Sequence, residues 1–362
     1  MRLHVLSLPH TQTTRSYDHC AFTAKVRKFC DMMSNRGHQV FLYASEVNEA
    51  AVTEHVPCIM QAEQEALFGS EWWWPDQPWG VDFNPSLPHW VLFNERAVGA
   101  LLERLLPHDF VCLIMGQSQR AIIDALPGHR FCEFGVGYQG TCEDTFRAYE
   151  SYAWMHACYA THQGGAAASD GQFFDQVIPN YYDPKEFPVN GKKPESYLLF
   201  MSRMTPRKGY QIAIDTARLT GRPLKIAGVG GDHPEDEHVE YVGLADTRRR
   251  GQLLSRAHAV LVPTIYVEPF GGVAAEALLC GTPVLTTDWG GFSEYVEDGV
   301  DGFRCRTQRE FAEAAEKAGE LDRKAIRERA QARFSYDAVA PQYERWFERL
   351  ALLWDRGFYA GC

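Results

Sequence analysis

The sequence predicts an α/β protein built from two doubly wound, Rossmann-like domains that face a cleft. Its 362 residues are too many for one ordinary hydrophobic core. Apolar runs of strand length alternate with amphipathic helical segments in both halves of the chain, which is typical of parallel sheets covered by helices. A polar segment that contains Gly191 and Pro194 separates the halves and is typical of an interdomain linker.

The first half begins with a strand, a loop, a helix and a second strand. Residues 3–7 and 38–44 are the predicted strands, and an apolar stripe from Phe22 to Met33 predicts the helix between them, which ends near Gly37. The loop at residues 9–18 is long for a strand-to-helix connection, and long loops often carry function. The later elements predicted in this half are a helix over 92–106, strands over 109–115 and 131–138, and a helix over 145–160.

A tryptophan-rich segment interrupts this series at residues 68–90. It holds five tryptophans among four prolines, a composition that disfavours both helix and strand. One interpretation is a proline-locked loop that packs its own tryptophans. The alternative is an aromatic platform for an acceptor sugar or base, with Trp72 and Trp73 as candidate acceptor-binding residues.

The second half repeats the alternation of strands and helices. Its strands are predicted over 197–202, 223–227, 239–242, 259–262 and 283–287, and its helices over 210–219, 246–256, 273–280, 308–318, 322–334 and 336–353.

Two carboxylates flank a glycine pair where the strand over 259–262 passes into the helix over 273–280. Glu268 and Glu276 are eight positions apart, with Gly271 and Gly272 between them. Free backbone N–H groups at a helix start attract phosphate, and carboxylates accept hydrogen bonds from paired hydroxyls. This junction therefore predicts a phosphate site with a hydroxyl-binding carboxylate on each side. The alternative is a β-α turn with two solvent-facing glutamates.

A second candidate lies between the strand over 197–202 and the helix over 210–219. Arg203 leaves the strand end, and Lys208 is at the helix start, where a cation opposes the helix dipole. A bound anion would offset that repulsion, so the pair is predicted to clamp a diphosphate. The alternative is a solvated basic turn. The Gly228-Val229-Gly230 turn follows a strand, as a dinucleotide-binding fingerprint would. It lacks the third glycine of that fingerprint, and Pro234 interrupts the helix that should follow, so we discount this interpretation.

Composition excludes several functional classes. A net charge of −11 disfavours non-specific binding to nucleic acid, which needs a basic face. The chain has no apolar run of about 18 residues, so no membrane span is expected. Ten cysteines without a Cys-x-x-Cys pair predict reduced, mostly buried thiols, a cytoplasmic protein and no zinc site. The apolar N-terminal segment is too short and too strand-like for a signal peptide, so none is expected.

Several motifs together resemble the retaining glycosyltransferases of family 4, which have the GT-B fold. In order they are Arg203 with Lys208-Gly209, Gly228-Val229-Gly230, the segment from Glu268 to Glu276, and Gly290-Gly291-Phe292-Ser293-Glu294. The resemblance covers residues 195–353, and the segment from Val177 to Phe187 is similar to the interdomain segment of that family. The first half is less similar, because residues 9–14 stand where the family commonly has a glycine pair.

The resemblance implies a domain organisation and a donor site. It implies an acceptor-binding domain over 1–190, a donor-binding domain over 191–340, and a C-terminal helix over 341–362 that packs back on the first domain. Arg203 and Lys208 would stabilise the leaving diphosphate, Glu276 would bind the ribose diol, and Glu268, the third catalytic candidate, would hold hydroxyls of the donor sugar. The further donor-binding candidates are Phe270, Gly271, Gly272, Val273, Gly228 and Gly230. The acceptor-binding candidates in the first half are Thr13, Thr14 and Tyr138, beside Trp72 and Trp73.

The implied activity is transfer of a hexose from a nucleotide diphosphate sugar to an acceptor hydroxyl. A UDP-sugar, UDP-glucose-like, is favoured, and the acceptor would be a small molecule, a glycan or a nucleic acid. The chain contains no Asp-x-Asp, which agrees with a mechanism without a metal or another cofactor. Two alternatives stay open, a glycosyltransferase that modifies a nucleic-acid base and a non-catalytic sugar-nucleotide-binding protein.

Overall fold

The computed structural model describes residues 1–70, 82–162, 170–189, 193–232 and 235–355. The chain divides into two compact units. Unit 1 comprises Met1–Tyr149, Asp170–Tyr181 and Val339–Cys362, and unit 2 comprises Glu150–Ser169 and Tyr182–Ala338. The domain boundaries expected at residues 190 and 340 stay a prediction. Trp72, Trp73 and the centre of the predicted linker lie outside the described residues.

Unit 1 is built on a parallel seven-stranded sheet of order β3-β2-β1-β4-β5-β6-β7. The order reverses between β1 and β4, as in doubly wound sheets. The strands are β1 Arg2–Leu6, β2 Gln39–Ser45, β3 Glu54–Ile59, β4 Phe110–Leu113, β5 Arg130–Val136, β6 Phe146–Tyr149 and β7 Gln176–Val177. The helices are α1 Ala21–Asn35, α2 Gln61–Phe68, α3 Pro88–Leu102, α4 Arg120–Ala125 and, from Val339 onward, α12 Tyr336–Asp355.

Two strands of unit 1 differ from the sequence-based expectation. The helix predicted over 145–160 is wrong at its start, because residues 146–149 form β6 and the helix begins only at Tyr152. Ala148 and Tyr149 are fully buried there, so pairing with β5 outweighs their helix propensity. Strand β3 was not predicted, because it contains Pro57 and proline disfavours strands. The strand lies at the edge of the sheet, where the missing N–H of proline is tolerated.

The last helix completes the core of unit 1. Tyr343 meets the ring of Phe29 edge-on at 5.2 Å between centroids, and Phe347 lies 4.9 Å from Phe110. Glu344 accepts a hydrogen bond of 2.9 Å from Arg36 on the surface above. This packing confirms that the C-terminal helix returns to the first sheet, as the predicted fold class requires.

Unit 2 is built on a parallel six-stranded sheet of order β10-β9-β8-β11-β12-β13. Its strands are β8 Leu198–Met201, β9 Leu224–Ala227, β10 Val239–Tyr241, β11 Ala259–Val262, β12 Val284–Thr287 and β13 Gly302–Cys305. Its helices are α5 Tyr152–His162, α6 Tyr210–Thr220, α7 Thr247–Arg256, α8 Gly272–Leu279, α9 Phe292–Tyr295, α10 Gln308–Lys317 and α11 Arg323–Phe334.

The uninterrupted apolar run of β8 follows from its position inside two cores. Leu198 and Phe200 pack with residues of α6 and α10, whereas Leu199 and Met201 pack with residues of α8 and α11. A strand covered on both faces has no polar alternation, because successive side chains point to opposite cores. The two parallel sheets covered by helices confirm the predicted α/β fold class.

Two expectations drawn from composition concern the cysteines and the membrane. Eight of the nine described cysteines are buried. None of the helices within the described ranges combines the length and the hydropathy that crossing a bilayer requires.

Candidate active site

The carboxyl ends of β8 and β11 and the start of α8 meet around one small cavity in unit 2. The cavity has a volume of about 50 Å³. Its lining includes the sequence-predicted residues Lys208, Glu268, Gly271 and Gly272, together with the polar residues Ser202 and Thr264. Ligands of open parallel sheets bind at this edge, so the structure brings the central predicted residues together where a ligand is expected.

Lys208 ends a short 3-10 helix, Pro206–Lys208, that precedes α6. The next residue, Gly209, has a φ of +75°, and a Cβ there would lie 2.1 Å from the carbonyl oxygen of Pro263. This close approach fixes the turn against the end of β11. It directs Lys208 toward Glu268, and the Lys208 Nζ donates a hydrogen bond of 2.8 Å to Glu268 Oε2.

Glu268 is held through its backbone by the Gly290-Gly291 pair. The Gly291 N–H donates a hydrogen bond of 2.9 Å to the Glu268 carbonyl oxygen. A Cβ at Gly290, whose φ is +65°, would lie 2.7 Å from both the backbone N and O of Glu268. The glycine pair thus lets two loops pack closely enough to fix the catalytic candidate. Glu294 of the same motif accepts hydrogen bonds from the Tyr152 and Ala153 N–H groups at the start of α5.

Sequence reasoning missed Tyr266, which lies beside the Lys208–Glu268 pair. The Lys208 Nζ is 4.9 Å and the Arg207 Cζ is 4.8 Å from the centroid of its ring, distances at which a cation is attracted to an aromatic face. Burial, and then the charge of Glu268, raise the pKa of the Tyr266 phenol. The feature of the sequence that could have identified Tyr266 is its position, two residues before the predicted site residue Glu268.

The start of α8 has free hydrogen-bond donors. Gly271 has a φ of +83° and is the N-cap residue. Neither the Gly272 N–H nor the Val273 N–H has a hydrogen-bond acceptor in the part of the chain that the structure describes. The side chain of Phe270 instead belongs to the core, stacked on Tyr295 at 5.0 Å. The helix start can therefore bind an anion through its backbone.

Glu276, on the fifth position of α8, is paired with a residue that sequence reasoning did not select. Its carboxylate accepts a hydrogen bond from Nε of Arg250 on α7 and forms an ion pair with Nη2 of the same guanidinium. The Glu276 side chain is only 9% exposed, so the alternative of a solvent-facing glutamate does not describe it.

The remaining donor-site candidates lie on the neighbouring loops of unit 2. Arg203 is exposed and forms no ion pair with any residue that the structure describes. Gly228 packs against the preceding loop, since a Cβ there would lie 1.9 Å from the Ser202 carbonyl oxygen. Gly230 has a φ of +81° in the same turn. The roles of these residues in donor binding stay predictions.

The acceptor-site candidates of unit 1 are buried polar residues. Thr13 lies within hydrogen-bond distance of Ser7, with 3.2 Å between their hydroxyl oxygens, and Thr14 similarly lies 2.7 Å from Ser16. Tyr138 donates a hydrogen bond of 2.6 Å to the carboxylate of the fully buried Glu133. Burial raises the pKa of Glu133. The role of these residues in acceptor binding stays a prediction.

His10 lies in the same loop as Thr13 and Thr14, and its protonation makes the stability of the fold depend on pH. It lies against the edges of Phe83 and Trp90, and burial, followed by the charge of His89, lowers its pKa to about 3. An unfolded histidine titrates near pH 6.5, so the unfolded chain binds more protons between about pH 6.5 and 3. The contribution of neutral His10 to the free energy of unfolding is therefore fully present above pH 6.5, and it is lost as the pH falls from about 6.5 to 3.

We expect His10→Gln to weaken the pH dependence of stability between pH 6.5 and 4. The free energy of unfolding from urea titrations at several pH values measures this slope. His156→Gln, which replaces an exposed histidine of α5, should keep the wild-type slope. An unchanged slope in His10→Gln would show that other groups cause the acid loss.

The described ranges contain no group of three or more His, Cys, Asp or Glu side chains arranged to hold a metal ion. The acidic run from Glu235 to Glu237 contributes Asp236 to an ion pair, in which the Arg218 Nε donates a hydrogen bond of 2.7 Å. The roles of Lys208, Arg203 and the N–H groups of α8 in binding an anion stay predictions.

A comparison with protein families matches residues 183–333 to the family described as Glycosyl transferases group 1. Among curated proteins, the chain is similar to a glycogen synthase of Mycobacterium tuberculosis, with 32% identity over 190 residues. The match covers 45% of this chain and 46% of that relative, so the chain spans about half the length of this curated relative.

Solved structures share the fold over at least 96% of the chain. AviGT4, a glycosyltransferase involved in avilamycin A biosynthesis, has 23% identity and a TM-score of 0.66, with 97% of this chain and 98% of that chain covered. HepE of Anabaena in complex with UDP-glucose has 16% identity and a TM-score of 0.61, with 96% and 100% covered. The chain therefore has the GT-B fold of these glycosyltransferase structures, and its residues 183–333 match the glycosyl transferases group 1 family.

Proposed function

We propose that this protein is a retaining glycosyltransferase of family 4 that moves a hexose from a nucleotide diphosphate sugar to an acceptor hydroxyl. The observation that carries the proposal is the convergence of Lys208, Glu268 and the free N–H groups of α8 on one cavity of unit 2. A cation, a carboxylate and a helix start are the groups needed to hold a diphosphate next to a polyhydroxylated sugar.

The diphosphate of the donor would bind at the start of α8. Cleavage of the bond between the sugar and the diphosphate leaves negative charge on the phosphate oxygens, and preorganised donors stabilise that charge. Lys208 and the N–H groups of Gly272 and Val273 line the cavity and would supply these donors. Arg203, exposed after β8, would add a second cation.

The two glutamates would bind the hydroxyls on either side of the diphosphate. Glu268, beside Lys208, would accept hydrogen bonds from the hydroxyls of the donor sugar. Glu276, the fifth residue of α8, would accept them from the ribose diol. A charge-assisted hydrogen bond of this kind contributes about 1.5–3 kcal/mol, enough to determine both the affinity and the orientation of the donor.

A UDP-sugar, UDP-glucose-like, is the donor we favour, because a structure with the same fold, that of HepE, is described as a complex with UDP-glucose. A thermal-shift panel of UDP-, GDP- and ADP-glucose tests this choice, since a ligand that binds the native state raises Tm by mass action. We expect UDP-glucose to produce the largest shift. Equal shifts with all three sugars would contradict a preference for uracil, and no shift with any of them would contradict the proposed function.

Retention is tested separately on the product. The anomeric coupling constant in the NMR spectrum of the transferred sugar should be that of the donor configuration. An inverted product would exclude the retaining family while leaving the two-sheet fold unaffected.

We expect full activity after treatment with EDTA, because fixed cations and helix N–H groups would replace a metal ion at the diphosphate. Initial rates with and without excess EDTA, followed by addition of Mn²⁺, measure this. If chelation abolishes transfer and Mn²⁺ restores it, the diphosphate site described above is wrong. The acidic run from Glu235 to Glu237 would then be the first place to look for metal ligands.

A further inference from the structure

The pairing of Arg250 with Glu276 joins two helices at the edge of the site. Arg250 is the fourth residue of α7, and Glu276 lies 26 positions later on α8. The Arg250 Nε donates a hydrogen bond to Oε2 of Glu276, and Nη2 forms an ion pair with the same oxygen. Within the described chain, Oε1 of Glu276 accepts no hydrogen bond, and it is not among the fully buried polar atoms that lack a partner.

We propose that Arg250 is a positioning residue for the nucleotide, acting through Glu276 on the hydroxyls of the ribose. The inference rests on the proposed function. Arg250 holds Oε2, so that the carboxylate cannot rotate freely, and leaves Oε1 to accept from the ribose. The guanidinium is suited to this task because its donors lie in a rigid plane and it stays charged at all physiological pH values.

The surroundings of Glu276 explain why it needs a partner. The carboxylate is nearly buried, and a buried charge without a partner is destabilised by the loss of hydration. The phenol of Tyr182 is 3% exposed, and its pKa is raised by burial first and by the charge of Glu276 second. Tyr182 cannot supply a compensating positive charge, so Arg250 is the group that pairs with Glu276 and orients it.

The neighbouring arginines of α7 show that this contact is selective. Arg248 and Arg249 are exposed, and neither side chain forms an ion pair with a described residue, whereas Arg250 is 29% exposed and faces α8. Arg249 has the same charge on the same helical turn. It is therefore a matched control for the loss of one positive charge near the site.

The alternative is that the Arg250–Glu276 pair only fastens α7 to α8. The two roles differ in how the protein distinguishes a ribonucleotide from its 2′-deoxy form. If Arg250 acts through Glu276 on the ribose, the affinity for UDP should fall in an Arg250 variant while the affinity for 2′-deoxy-UDP changes little. A purely structural pair would change both affinities by the same factor.

The experiment measures the Kd of UDP and of 2′-deoxy-UDP by calorimetry on the full chain. For the wild type we expect UDP to bind roughly ten- to hundredfold more tightly, the loss for one hydrogen bond to a charged group. Arg250→Met should bring the two affinities within about threefold of each other. Arg249→Met should keep the wild-type ratio. Arg250→Gln removes the charge and the planar guanidinium but keeps an amide donor, so it should give an intermediate ratio of the two Kd values.

Two results would overturn the proposal. A wild-type ratio in both Arg250→Met and Arg250→Gln would make the pair a structural contact only; if the methionine variant fails to fold, the glutamine variant alone decides. A wild-type protein that binds neither UDP, GDP nor ADP would overturn the proposed function itself, and the inference with it. A wild-type protein that binds GDP or ADP instead directs the same comparison to that nucleotide and its 2′-deoxy form.

Discussion

Replacing Lys208 with methionine should lower kcat on the order of 10²–10³-fold, the loss measured when one preorganised donor to a developing anion is removed. Methionine keeps much of the length and apolar surface of lysine but removes its charge. The Nζ now lies 2.8 Å from Glu268 and lines the cavity in which the diphosphate is expected. Steady-state kinetics with a saturating donor give the effect on kcat, and calorimetry with UDP gives the effect on binding.

Arg207→Met is the matched control for this experiment. Arg207 is the adjacent residue and carries the same charge, but it is exposed and lies outside the residues that line the cavity. We expect its kcat to stay within about threefold of the wild type, since exposed charges contribute little at a distance in water. Equal losses in both variants would mean that the general positive charge of the turn matters rather than the position of Lys208.

Glu268→Gln should lower kcat by roughly ten- to hundredfold and leave the Kd of UDP nearly unchanged. The substitution keeps the shape of the side chain and removes the charge that strengthens hydrogen bonds from the donor sugar, an interaction of about 1.5–3 kcal/mol. UDP lacks the sugar, so its affinity reports on the diphosphate and the nucleoside alone. Kinetics with the complete donor and calorimetry with UDP separate the two effects.

The control for Glu268 is another glutamate of the same unit. Glu294 accepts two backbone hydrogen bonds at the start of α5, so Glu294→Gln should lower Tm, through the loss of about 1 kcal/mol of capping energy, without a comparable loss of kcat. If Glu268→Gln weakens UDP binding as much as it lowers kcat, Glu268 contributes to the nucleotide site rather than to the sugar site.

The part of the site that sequence reasoning found is the part encoded by residues close together in the chain. Glu268, the glycine pair and Glu276 lie within nine positions, and the glycines at 271 and 281 mark the ends of α8 directly. Lys208 was found in the same way, from its position between a strand and a helix. Spacing along the sequence is sufficient to identify site residues that lie between the end of one strand and the start of the next helix.

The residues that were missed depend on contacts between distant parts of the chain. Arg250 is one of four arginines on α7, and only the packing of α7 beside α8 selects it. Tyr266 likewise lies beside Lys208, which belongs to a different turn. Strand β6 was missed because the pairing of its residues with β5 decides its conformation, and no short stretch of sequence contains that partner.

The three-segment composition of unit 1 has a consequence for its folding during synthesis. Tyr343, Trp346, Phe347 and Leu350 of α12 are at most 1% exposed and complete its core, yet they follow β6 by roughly 200 residues. At the usual rate of 5–20 residues per second, the ribosome makes them on the order of 10–40 s later. Most of unit 2 is made in that interval, so unit 2 can finish folding first. Until α12 emerges, the nascent first unit exposes the apolar surface that this helix covers, and such surface is what chaperones bind.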